Sequence, residues 1–281
     1  MKTGFIGLGN IGKPMAKRLA TSDYALTVYD INPAACAELE ALGAQVAASP
    51  AALAAQADVI GVCVRDDADV ESVLTGEHGI LSTAAAGTVV AIHSTVRQST
   101  ILAMAERARA SGVIVMDAPI TGGASGAENG SLCYMLGGDA ATVETVRPVF
   151  MTSAQKVIHA GDLGAGIALK LCNNLITYAE FIAIHEAGKL AEAAGLSLAV
   201  LAEVGQANGV ITPQMQMFIE NRNALHKGCS EADFKAIFGG FAALGAKDLQ
   251  AALESAAQLN CDLPATTVNQ TLIEKVFFNA Y

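Results

Sequence analysis

The chain has 281 residues, 52% of them hydrophobic, and a formal net charge of −10. That length buries a large core and predicts two domains, while the negative charge, with no basic run to offset it, excludes nucleic acid and anionic membrane as partners. No uninterrupted apolar run approaches the ~20 residues of a spanning helix, and the first residues lack the apolar segment of a secretory signal, so a cytoplasmic protein is expected.

A short apolar strand is predicted over 3–6, followed by Gly7, Gly9 and Gly12 in G-x-G-x-x-G spacing and by a helix over 14–21. The first glycine permits a tight turn, the second lets a pyrophosphate approach the backbone, and the third allows helix to pack closely on strand. The loop Gly7, Leu8, Gly9, Asn10, Ile11 and Gly12 is therefore read as a dinucleotide cradle, with the phosphates on free N–H groups at the helix start. A second strand, 25–29, ends at Asp30, 23 residues beyond Gly7, where a carboxylate meets the adenine ribose hydroxyls. Asp30 repels a 2′-phosphate, and Ile31 and Asn32 bring no arginine to welcome one, so NAD is preferred over NADP.

Further strands are predicted over 44–47, 58–64, 88–93 and 113–117, with helices over 33–42, 50–56, 68–74 and 100–111 between them. This alternation implies right-handed crossovers and a parallel, doubly wound sheet. After Gly164 the strand signals fade and helical patterns follow over 167–194, 198–206, 241–258 and 265–279. The expected fold is α/β, an N-terminal Rossmann-type doubly wound sheet (1–162) followed by an all-α C-terminal domain (163–281) for substrate and oligomerisation. The two would be joined without a flexible linker, leaving a cleft between them.

Ligands in open α/β sheets bind at the carboxyl ends of the strands, so the loops there carry the chemistry. Arg65, at the end of the 58–64 strand, is read equally as a contact to an anion and as part of a surface loop. Ser94 or Thr95 would cap the following helix or face a bound nicotinamide ribose. In the stretch 117–126, DAPITGGASG, Thr121, Gly122 and Gly123 offer a hydroxyl and adjacent backbone N–H groups able to cradle a carboxylate. Gly166, Lys170 and Asn174 follow at four-residue spacing, placing a residue without a side chain, an amine and a carboxamide on one strip of a helix. The neighbours of Lys170 are apolar and uncharged, which predicts a partly buried amine suited to proton transfer.

Taken together, GFIGLGNIGKPMA, HSTV, DAPITGGASGAENGSL, GAGIALKLCNN and GAKDL resemble the β-hydroxyacid dehydrogenase family, which includes 3-hydroxyisobutyrate dehydrogenase, tartronate semialdehyde reductase and relatives of 6-phosphogluconate dehydrogenase. The motifs stand in the family's order and span almost the whole chain. The resemblance implies that Lys170 is the catalytic lysine, that Thr121, Gly122 and Gly123 bind the substrate carboxylate, and that Asn174 bonds substrate beside the lysine. It implies cofactor contacts from the glycine loop, Asp30, Val64, Arg65, Thr95 and Lys247, and a homodimer or homotetramer. Without the resemblance, Lys247 and Asp248 read as an ordinary exposed pair.

The sequence departs from the family pattern where Val64-Arg65 replaces the usual Leu-Pro, where Thr121 replaces a common serine, and beyond Pro264, where the glycine-rich tail is missing. These departures bear on the substrate, not the reaction type. The expected reaction is hydride transfer between a nicotinamide cofactor and a small 3-hydroxy acid or its oxo form, with Lys170 as general acid/base. An imine reductase and a nonenzymatic NAD(H)-binding sensor are the alternatives; both usually lack the lysine present here. The five histidines show no ligand spacing and read as structural, and the six cysteines, dispersed without C-x-x-C spacing, read as reduced thiols, so no metal is expected.

Overall fold

The computed structural model describes residues 1–281, which divide into two compact units, Met1–Lys170 and Leu171–Tyr281. In the first, β1 (Lys2–Ile6), β2 (Ala25–Tyr29), β3 (Gln45–Val46), β4 (Val59–Val62), β5 (Val89–Ile92) and β6 (Ile114–Asp117) alternate with α1 (Gly12–Ala20), α2 (Ala37–Ala41), α3 (Pro50–Ala54), α4 (Asp67–Thr75) and α5 (Gln98–Arg109). The six strands run parallel in the order β3-β2-β1-β4-β5-β6. The strand order reverses between β1 and β4, and there the ligand crevice of a doubly wound sheet opens.

Successive strand residues point to opposite faces and enter separate cores. Phe5, Val59, Ala91 and Met116 pack with Met15 and Leu19 of α1, whereas Ile6, Ile60, Val90 and Val115 pack with Leu53, Val70, Leu74 and Met104 of α3, α4 and α5. Burial on both faces explains why these strands read as continuous apolar runs.

Five elements between 118 and 162 lie outside the sequence expectation: β7 (Ile120–Thr121), α6 (Gly123–Asn129), β8 (Leu132–Gly137), α7 (Ala140–Phe150) and β9 (Ala154–Gly161). They also make the sheet mixed rather than wholly parallel, because β8 pairs antiparallel with β6 and β7, then parallel with β9. Residues 118–131, which join β6 to β8, hold β7 and the seven-residue α6, and the turn they make returns β8 antiparallel to both β6 and β7.

The unit division falls inside α8 (Ala165–Ala193), between Lys170 and Leu171. At 29 residues, with a mean hydropathy of 1.3 in its most apolar stretch, α8 is long and apolar enough to cross a membrane. Its middle instead supplies Tyr178, Phe181, Ile182 and Ile184 to the core of the second unit. That core is completed by α9 (Leu198–Ala207), α10 (Pro213–Gly228), α11 (Glu231–Gln258) and α12 (Pro264–Phe277). Helix α10 was not expected, and α11 starts ten residues before its predicted 241, where Ser230 caps the helix by accepting from the Asp233 N–H at 3.2 Å.

Candidate active site

Register aligns the carboxyl ends of the parallel strands: Ile6 pairs with Tyr29 and Val62, Val62 with Ile92, and Ile92 with Asp117. The segments that follow these residues therefore leave one edge of the sheet. They carry Gly7, Asp30, Val64, Thr95 and Thr121, five of the residues singled out from sequence.

Each glycine of the first loop meets a different constraint. Gly7 has φ +93°, and a Cβ there would run into the Cys63 carbonyl; a Cβ on Gly12 would run into the carbonyl of Gly7 itself. A Cβ on the exposed Gly9 would meet nothing within 4 Å. Two glycines are thus demanded by the fold, while the middle one keeps open space over the loop, as close approach of a pyrophosphate requires. The Asp30 carboxylate reaches back to the loop, accepting from Leu8 N–H at 2.6 Å and from Asn32 N–H at 2.8 Å. Asn10 is exposed and Ile11 half-buried at the start of α1. These residues fit a dinucleotide: a cradle of backbone N–H groups, room above Gly9 and a carboxylate at the end of β2.

Ser94 is not a helix cap. Its hydroxyl bridges to the neighbouring strand end, accepting from Val64 N–H and donating to Val64 C=O, both at 2.8 Å. Helix α5 begins four residues later, at Gln98 after Arg97, without a side-chain cap. Thr95 is half-buried. Arg65 is held on Asp69 through Nε at 2.8 Å and Nη2 at 3.0 Å, with its side chain 85% exposed, so this cation is already paired at the surface. His93 lies beneath the edge, stacked on Phe5 and edge-on to Tyr134 and Phe150; its Nδ1–H donates to Ala118 C=O at 2.9 Å, and burial lowers its pKa to about 4.

After β7, Gly122 and Gly123 take positive φ, +121° and +63°, turning the backbone sharply beside the half-buried Thr121. A Cβ on Gly123 would meet nothing within 4 Å.

The residue that places Lys170 was not foreseen. Asp117, fully buried at the end of β6, accepts from Gly164 N–H at 2.8 Å and from Ile167 N–H at 2.7 Å, so a carboxylate from the sheet satisfies donors in the first turn of α8. Burial raises the Asp117 pKa, against the lowering effect of these backbone donors. Gly166 allows the approach, since a Cβ there would collide with Met135 C=O and lie 2.9 Å from Asp117 Oδ2. One turn later stands Lys170, half-buried as the apolar neighbourhood predicted.

In the second unit, Asn174 and Lys247 meet at one buried acid. Asp248, its side chain 1% exposed, accepts from Asn174 Nδ2 at 2.7 Å and Tyr178 OH at 3.1 Å, and pairs with Lys247 Nζ at 3.1 Å. The Lys247-Asp248 pair is therefore not an ordinary exposed one: helical periodicity turns the acid inward while Lys247 stays half-buried. Burial and Asp248 together push the Tyr178 hydroxyl pKa upward, fixing it as a donor. No group of three or more His, Cys, Asp or Glu side chains is spaced to hold a metal ion, and all six cysteines are free thiols.

Residues 2–161 match the family model for the NAD-binding domain of 6-phosphogluconate dehydrogenase, and residues 164–279 match that for the NAD-binding region of NADP-dependent 3-hydroxyisobutyrate dehydrogenase. An uncharacterized oxidoreductase of Mycobacterium tuberculosis is 38% identical over 263 residues, covering 94% of this chain and 88% of its own. The 2-(hydroxymethyl)glutarate dehydrogenase of Eubacterium barkeri is 36% identical over 279 residues, covering 98% and 88%. Among solved structures, M. tuberculosis 3-hydroxyisobutyrate dehydrogenase with L-serine superimposes with a TM-score of 0.83 at 29% identity, covering 98% of this chain and 92% of that one. Imine reductases share the fold alone, at 20% identity or below.

Proposed function

This chain belongs to the β-hydroxyacid dehydrogenase family and is an NAD(P)-dependent dehydrogenase, and we propose that it moves hydride between NAD and a small 3-hydroxy acid, or its semialdehyde, with Lys170 as general acid/base. The observation that carries this reading is the anchoring of α8 by Asp117 at the same sheet edge as the glycine loop, which sets an amine one turn beyond a locked helix start. The substrate class draws support from the relatives: 2-(hydroxymethyl)glutarate and L-serine each carry a primary hydroxyl one carbon from a carboxylate-bearing carbon.

In the oxidative direction neutral Lys170 accepts the proton of the substrate hydroxyl; in the reductive direction its ammonium returns one to the developing alkoxide. Such a positioned group contributes about 10²–10⁴-fold in rate. NAD, when bound, supplies the hydride acceptor. The loop from Gly7 to Gly12, Asp30, Val64, Arg65, Thr95 and Lys247 would hold it. Asp30 favours NAD because a 2′-phosphate would stand against its carboxylate. Thr121, Gly122 and Gly123 would receive the substrate carboxylate, and Asn174, its amide oriented by Asp248, would bond the substrate.

The assembly proposed is a homodimer or homotetramer, in keeping with apolar side chains such as Leu190, Val204 and Val210 left 60–73% exposed on the helical unit. Free thiols and acidic charge suit a cytoplasmic enzyme. The reading is tested by initial rates over a panel of 2- and 3-hydroxy acids with NAD⁺ and NADP⁺. Lys170→Ala is expected to abolish turnover while NADH affinity stays within a few-fold; full activity in the variant refutes the mechanism. NADH binding without oxidation of any panel member would favour the sensor.

A further inference from the structure

The second unit holds a cavity of about 130 Å³ outside the Asn174–Asp248–Lys247 network, between α8 and α10. Its charged lining is Lys189, Arg222 and Lys227, with Glu192 the one carboxylate and His185 and His226 beside them. A concentration of cations is unexpected in a chain of net charge −10.

The inner wall is built from two buried groups that the fold leaves incompletely satisfied. Arg222 is 2% exposed, yet no carboxylate pairs with it. Its Nη1 donates to His185 Nδ1 at 2.9 Å and to Val276 C=O at 2.7 Å, while Nε and Nη2 donate to Asn223 Oδ1 at 3.2 and 2.8 Å. Four of its five N–H donors are thus used, all on neutral acceptors, and one on Nη2 remains. Because a guanidinium cannot accept, His185 Nδ1 must be the acceptor, so neutral His185 carries its proton on Nε2. His185 is 1% exposed, and that Nε2–H makes no hydrogen bond of good geometry, its nearest acceptor being the Tyr281 backbone, which raises the His185 pKa slightly. Burial lowers the pKa of both groups, to about 4 for His185, which is therefore neutral and is pushed down further by Arg222 and Lys189, and to about 10 for Arg222, against the raising effect of Tyr281 and Glu192.

The missing partner is an anion with several acceptor oxygens. Lys189, Arg222 and Lys227 against Glu192 leave the lining with an excess of positive charge, which Glu186, outside the lining and accepting from Tyr281 OH, offsets only in part and which a multiply charged anion cancels. Arg222 and His185 line the cavity and two exposed lysines, Lys189 and Lys227, stand at its rim, so N–H donors lie on several sides, which suits a tetrahedral group better than a planar carboxylate. We propose that this cavity is a binding site for a phosphate-class dianion, inorganic phosphate or the head of a small phosphomonoester. Tyr281, edge-on to His185 at 4.9 Å and under Lys189 Nζ at 5.1 Å, forms part of its surroundings.

The test is calorimetric titration of the full chain, saturated with NAD⁺ at constant ionic strength, with inorganic phosphate, glycerol 3-phosphate and succinate in parallel. One phosphate or phosphomonoester per chain is expected, the tighter of the two showing whether the ligand is free or esterified. Lys189→Gln/Lys227→Gln, which changes only exposed side chains, is expected to weaken binding about tenfold, and His185→Phe, checked for unchanged melting, to weaken it further. The proposal is overturned by absence of binding at millimolar phosphate, by succinate binding where phosphate does not, by binding that disappears once NAD⁺ fills the glycine loop, or by an undiminished affinity in the double lysine variant.

Discussion

Gly166→Ala is the substitution that most directly probes how the helix start sets the position of Lys170. A Cβ built on Gly166 lies 2.3 Å from the Met135 carbonyl oxygen, against a floor of 3.0 Å for real Cβ contacts, and 2.9 Å from both Asp117 Oδ2 and Gly137 N. All three obstacles belong to the buried end of the sheet: two are backbone atoms of β8, the third a carboxylate held by two N–H groups. None is the free end of a flexible side chain, so the first turn of α8 must retreat by about 0.7 Å, the gap between 2.3 and 3.0 Å. Overpacking of this kind costs about 1–3 kcal/mol. The retreat also stretches the Asp117 bonds to Gly164 and Ile167 and carries Lys170, one turn along the same helix, away from its place. A misplacement near 1 Å costs on the order of 10²-fold in rate. Steady-state hydride transfer should therefore show kcat reduced about 10- to 100-fold with KM for NAD⁺ little changed, and urea unfolding should show the stability loss. Wild-type stability in Gly166→Ala would refute the steric argument. A destabilised variant with undiminished kcat would instead refute the link from helix start to lysine position.

Gly9→Ala makes the opposite case: with open space at its Cβ it should melt like the wild type, while NAD⁺ binding by calorimetry weakens at least tenfold; unchanged affinity would remove the pyrophosphate from this loop. Asp30→Ala should lose the preference for NAD⁺ over NADP⁺ in kcat/KM, and because Asp30 also accepts from Leu8 N–H, affinity for both cofactors should fall; retained preference would count against the assignment. His93, its pKa lowered from 6.5 to about 4 by burial, stays neutral in the folded protein while the unfolded chain takes up a proton. Its contribution is thus full above pH 6.5 and is lost as pH falls toward 4, on the order of 3 kcal/mol. Urea unfolding at several pH values should show that slope, and His93→Gln should make it shallower, leaving the part that His185, also lowered to about 4, contributes over the same window.

What could be read in the chain and what could not divide along a physical line. The glycine loop was legible because turn, space and close packing are demands made within a dozen consecutive residues, and Gly7, Gly9 and Gly12 each meet one of them. The parallel core was legible because strands buried on both faces write themselves as apolar runs. Elements were lost where local signals compete: glycines over 122–130 obscured β7 and α6, and the polar face of α10 hid a helix whose Thr212-Pro213 start was nevertheless a cap signal. The acids Asp117 and Asp248 were illegible for a different reason. Asp117 bonds donors 47 and 50 residues away, and Asp248 bonds Asn174 from 74 residues away. A carboxylate at the end of an apolar strand, or beside a lysine on a helix, has no local spacing that marks it as buried, because its partners exist only once the chain has folded. Spacing therefore exposes groups of the kind that do chemistry, such as Lys170 and Asn174, while the groups that hold them in place are disclosed by topology. The consequence is a separable pair of effects: removing Lys170 would take away the proposed proton carrier from an intact scaffold, whereas disturbing the contacts of Asp117 moves the scaffold under an intact lysine, and the two are distinguished by whether stability falls along with rate.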